Sequence, residues 1–81
     1  MTNNEILLDA FIQILGVPAD VDVSELEYSY TPGWESMAHM RLVAKIESGF
    51  DILLTTDDIV GMSSFERARE IVMQHGIDFT V

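Results

Sequence analysis

The sequence predicts an all-α fold, a four-helix bundle with a long connection between helices one and two and a short third helix. Three observations predict it. Glycines 16, 49, 61 and 76 each follow a helix-like run, and glycine just past a helix end is the expected stop. Apolar residues within those runs recur at helical spacing. Capping signatures, Thr2-x-x-Glu5 and Ser63-x-x-Glu66, stand ahead of two of them.

Helix one is expected over about 4–15. Glu5, Asp9 and Gln13 form one narrow polar stripe, and Leu7, Phe11 and Ile14 lie opposite it, toward the core. Leu8 and Ile12 flank the stripe and are expected to be partly exposed. Gly16-Val17-Pro18 ends the helix, and a connection runs to Glu35 that exceeds ordinary loop lengths. Val21, Val23, Leu26, Tyr28 and Tyr30 are its candidate anchors. Helix two is expected over about 36–48, with Ser36 as its N-cap. Leu42, Val43 and Ile46 have core spacing, continued by Phe50. Met37, Met40 and Ala44 form a second apolar stripe on another side, which fits either a partner surface or a central helix buried on both sides. Helix three is expected over about 57–60, capped by Thr55 or Thr56. Helix four is expected over about 64–75, with Phe65, Ala68, Ile71 and Val72 facing inward and Glu66, Arg67, Arg69 and Glu70 outward. An alternating tail, Ile77 to Val81, either packs or frays.

Size and charge narrow the function. The 81 residues make a single domain, 1–81, and 48% apolar residues are enough for a folded core. Fourteen acids against four Lys and Arg give a net charge of −10. That surface repels phosphate backbones, so nucleic acid is excluded as a partner, while basic protein patches suit it. Without cysteine there is neither a disulfide framework nor thiolate chemistry. No run is long and apolar enough to span a bilayer, and Thr2-Asn3-Asn4-Glu5 is not the basic start of a signal peptide. A cytoplasmic monomer is the default expectation.

Few residues carry chemistry. Asp20-x-Asp22-x-Ser24 begins like a calcium loop, but Glu25 stands where the turn needs glycine and Thr31 where a bidentate Glu belongs, so no metal site is expected. Asp57-Asp58 reads as capping and solvation, because adjacent helical residues point apart. His39 lies three residues after Ser36, yet no third orienting group is indicated, and no catalytic residue is expected. It reads as a surface residue of helix two; His75 suits the last turn of helix four. A serine at a helix start is a cap, and the same place favours a bound phosphate.

A larger pattern surrounds Ser36. Glu35-Ser36-Met37 is followed by Leu42, Val43, Ile46-Glu47 and Phe50-Asp51, then by Asp57-Asp58-Ile59 and Ser63-Ser64-Phe65 at the openings of helices three and four. With the glycine stops, the long first connection and the acidity, the chain resembles an acyl carrier protein from helix one to about His75. The resemblance implies that Ser36 bears a covalent 4'-phosphopantetheine arm, attached by a phosphopantetheinyl transferase that reads Glu35. It implies an acyl or aminoacyl thioester on the arm, a loading ligase, synthase or transferase as partner, and no chemistry by the domain itself. Met37, Met40, Arg41, Ala44 and Glu47 would meet partners, and Leu54, Ile59, Met62 and Phe65 would line a cargo cavity.

Two departures stand out. Glu35 replaces the family's aspartate, so the carboxylate reaches further. Helix two, acid-rich in the family, here carries His39, Arg41 and Lys45 with only Glu47, which points to a dedicated pathway enzyme as partner. Arg41 and Lys45, four apart, repel unless an outside acid meets them. The alternative is a helical adaptor that uses helix two without an arm. The cargo class stays open among fatty acyl, polyketide, amino-acid and sugar-modifying groups.

Overall fold

The computed structural model describes residues 1–80. Val81, the end of the expected tail, lies outside the described residues. Among these residues there are four α-helices: α1 (Asn3–Leu15), α2 (Ser36–Phe50), α3 (Thr56–Gly61) and α4 (Phe65–Gln74). A single turn of 3-10 helix, Val23–Glu25, interrupts the connection between α1 and α2. None of the helices is long and apolar enough to cross a membrane.

The ends of α1 follow the sequence closely. Thr2 and Glu5 close a reciprocal capping box, with N···O distances of 3.1 and 2.9 Å. Gly16 ends the helix at φ 72°, a left-handed conformation that costs glycine nothing, and its N–H donates to the Ile12 carbonyl. Leu7, Ala10 and Phe11 are buried, while Ile14 is half-buried at the rim.

The other ends differ from expectation. The N-cap of α2 is Glu35, whose carboxylate accepts from the Ala38 N–H at 3.1 Å; Ser36 is the first helical residue, not the cap. Gly49 does not stop α2. It lies inside the helix, where an added Cβ would come within 3.1 Å of Ile6 Cγ2, so glycine here permits close approach to α1. Asp51 carries the stop instead, at φ 54° with its N–H on the Glu47 carbonyl. Thr55 and Asp58 form a capping box on α3, and Gly61 is its last residue. Ser64, not Ser63, caps α4 by accepting from the Arg67 N–H at 3.1 Å.

Aromatic edges join the layers. Phe11 of α1 meets Phe65 of α4 at 5.0 Å and Trp34 of the connection at 5.2 Å between centroids, both edge-on, the arrangement that ring quadrupoles favour. Leu42, Val43 and Ile46 complete the core from α2, and Ala68, Ile71 and Val72 from α4. Trp34 and Leu26 pin the connection in that core; Tyr30, an expected anchor, is 82% exposed. An isolated antiparallel bridge, with Tyr28 N–H on the Ser63 carbonyl at 2.9 Å and Phe65 N–H on the Leu26 carbonyl at 3.3 Å, ties the connection to the start of α4. The tail packs as far as it is described: Phe79 lies 5.9 Å from Phe50, and Asn3 donates to the Asp78 carbonyl at 2.7 Å.

Candidate functional site

The geometry around Ser36 begins with Trp34. With Glu35 as cap, Trp34 is the residue before the cap and His39 is the fourth of the helix. These are the two positions that a hydrophobic staple joins. The rings stack 6.1 Å apart at an interplanar angle of 24°, and Trp34 Nε1–H donates to His39 Nδ1 at 2.9 Å. Because Nδ1 accepts, the other ring nitrogen carries the proton, and His39 Nε2–H donates to the Ile59 carbonyl of α3 at 2.8 Å. His39 is therefore a half-buried strut between the loop, α2 and α3, not the surface residue expected from sequence. Both of its nitrogens are committed, which leaves neither free to act on Ser36.

Ser36 itself is exposed at the first position of a 15-residue helix. Its N–H and that of Met37 have no acceptor among the described residues, since the cap takes only Ala38 and the Glu35 carbonyl takes His39. A hydroxyl with two free donors beside it, at the positive end of a helix dipole, is a place for a phosphate ester. Glu35 lies beside it with its carboxylate turned onto the helix end.

Next to Ser36 runs an open groove of about 390 Å³ lined by Ser36, Met37, Met40 and Arg41. Met37 is 72% and Met40 55% exposed, so the second stripe of α2 faces solvent and the helix is not buried on both sides. Ala44 and Lys45 are exposed as well. Glu47, expected on the partner face, is turned into the fold: its carboxylate accepts from the Leu54 N–H at 2.8 Å and holds the chain as it leaves α2.

The four residues expected around a cargo cavity are not brought together around one. Leu54 and Phe65 are core residues. Ile59 and Met62 line a recess of about 260 Å³ in company with Tyr28, His39, Val60 and Ser63. Sequence reasoning missed Trp34 and His39, and one residue explains why. A cap at Ser36 makes Glu35 and Met40 the staple positions, whereas a cap at Glu35 makes them Trp34 and His39.

The second histidine also holds α3, from the end of α4. His75 Nε2 and Asp58 Oδ2 lie 2.8 Å apart. That bond and then one from the Thr55 N–H hold the Asp58 carboxyl below its ordinary value. No cluster of three or more His, Cys, Asp or Glu among the described residues has the geometry to hold a metal ion. Comparison with protein-family models, with curated proteins and with solved structures finds no match to this chain.

Proposed function

We propose that the protein is an acyl carrier, with Ser36 as the residue that takes a phosphopantetheine arm. One observation carries this reading: an exposed serine at the first turn of a long helix, beside two backbone donors with no acceptor among the described residues. In loading by a transferase, the Ser36 oxygen would lose its proton and bond to the pantetheine-side phosphorus of the coenzyme A diphosphate, while the bond from that phosphorus to the bridging oxygen breaks and the oxygen leaves with the adenosine bisphosphate. The Ser36 and Met37 N–H groups would then face the new phosphodiester, and Glu35 would mark the site for the transferase. The staple between Trp34 and His39 supports the reading by fixing the loop that carries Glu35 and Ser36. When attached, the arm supplies a terminal thiol that holds a carboxylic acid as a thioester.

The recess beside α3 bears on cargo. At about 260 Å³ it falls below the roughly 300–1,000 Å³ usual for pockets that enclose a ligand. A short acyl or aminoacyl group fits this better than a long aliphatic chain. The loading ligase, synthase or transferase belongs to the same proposal.

Intact mass after incubation with coenzyme A and a broad-specificity transferase tests it. The wild type should gain one arm and Ser36→Ala none. A folded wild type that stays unmodified, or a variant that still gains the arm, defeats the proposal. An adaptor without an arm is the second reading, and the exposed Met37 and Met40 are the observation in its favour.

A further inference from the structure

We infer that the open face of α2, built by Met37, Met40, Arg41 and Lys45, docks a protein surface in which carboxylates surround an apolar side chain. The inference does not require the arm.

The charges on this face set it apart. The chain has four Lys and Arg in all. Two of them, Arg67 and Arg69, are engaged at 3.0 Å by Glu70 and Glu66 of their own helix. The other two, Arg41 and Lys45, are exposed, and neither makes an ion pair or a side-chain hydrogen bond among the described residues. They stand one turn apart, where like charges repel. Glu47, the acid on the same helix, is bound to Leu54 and makes no ion pair with them.

Beside these cations lies the groove between Met37 and Met40, open to solvent and lined almost wholly by apolar atoms. Methionine adapts its shape to an inserted side chain. An apolar residue seated there would bring Arg41 out of water, and a desolvated guanidinium needs a carboxylate to replace the lost hydration. The occupant must therefore supply both groups.

The rest of the surface enforces the choice. With a net charge of −10, the remaining surface repels an acidic partner wherever its acids predominate. This confines such a partner to one face and one orientation. The same charge opposes a polyanion such as an anionic membrane or a nucleic acid, whose charge is spread over the whole contact. A protein can instead place two or three carboxylates opposite two cations and keep its own remaining charge away.

Two amphipathic helical peptides of about 15 residues test the inference. Both carry one leucine stripe, flanked by glutamates in one and by lysines in the other. Each is titrated into the full chain and followed by two-dimensional amide NMR. The glutamate peptide should shift amides between Met37 and Lys45, and the lysine peptide should leave that segment unshifted. Reversing both charges, Arg41→Glu with Lys45→Glu, should weaken the glutamate peptide about tenfold and bring the lysine peptide onto α2. Met37→Ser with Met40→Ser should weaken binding with the charges intact. The titrations use the chain without an arm, so a failure of arm loading in the mass measurement leaves their outcome unchanged and the two results stay distinguishable. The inference is overturned if the glutamate peptide shifts no amide on α2, or if the lysine peptide occupies α2 of the wild type more tightly. It is equally overturned if vesicles of equal parts phosphatidylcholine and phosphatidylglycerol shift the α2 amides and the glutamate peptide does not.

Discussion

Trp34 shows how one side chain can serve packing and site geometry together. Its ring is buried against Phe11 and its N–H is spent on His39. Trp34→Phe keeps an aromatic ring but removes volume and the donor, leaving His39 Nδ1 without its partner. Urea denaturation should show a loss of about 2 kcal/mol. Two-dimensional amide NMR should show shifts at residue 34 and around Ile59, the two points that His39 connects. Glu35 is a less favourable cap than a shorter acid, because a longer side chain must be ordered to reach Ala38. Glu35→Asp should therefore raise stability by about 0.5 kcal/mol, and Glu35→Ala should lower it by about 1 kcal/mol, both read from urea midpoints.

Among the elements, α3 is held by polar contacts more than by burial. None of its six residues is buried. It is fixed by its capping box, by His39 on the Ile59 carbonyl and by His75 at Asp58. Such an element opens at lower free energy than the core helices. Asp58 makes its stability depend on pH, and the sign follows from the direction of the shift. A carboxyl whose folded value lies below its unfolded value of 3.8 stabilises the fold fully above that unfolded value. The contribution is lost as pH falls through the lowered folded value. Amide exchange in α3, compared with that in α1, should accelerate on acidification through this range, and Asp58→Asn should flatten the dependence. The α1–α2 pair should hold its protection, since Leu7, Phe11, Leu42 and Ile46 are buried between apolar neighbours.

At the scale of the molecule, charge works against compactness. The excess of fourteen acids over four Lys and Arg on a chain of 81 residues is self-repelling, and the two surface ion pairs on α4 offset little of this. Sodium chloride screens the repulsion over about 8 Å at physiological strength. The thermal midpoint should rise by a few degrees between low salt and about 0.15 M, as ellipticity on heating would show. Charge reversal at Arg41 and Lys45 makes the net charge more negative, so that variant should show a steeper salt dependence.

The sequence by itself determined the all-α class, the order of the four helices and the inward faces of α1, α2 and α4, from Leu7 and Phe11 through Leu42, Val43 and Ile46 to Ala68, Ile71 and Val72. These follow from local causes: apolar spacing, Thr2 with Glu5, Gly16, and Thr55 ahead of α3. It also pointed to Ser36 at the start of α2, because a polar residue between a glycine turn and an apolar run marks a helix entrance. Only the tertiary structure decided the details that turn an entrance into a site. Which of two adjacent polar residues caps α2 depends on where Trp34 can be buried, and that depends on Phe11, distant in sequence. That Gly49 lies within α2 with little room for a Cβ is seen only from Ile6 of a different helix packed beside it. Whether His39 faces water or spans to Ile59 depends on where α3 comes to rest. Helical periodicity and caps are set by neighbours along the chain, whereas burial and hydrogen-bond partners are set by neighbours in space.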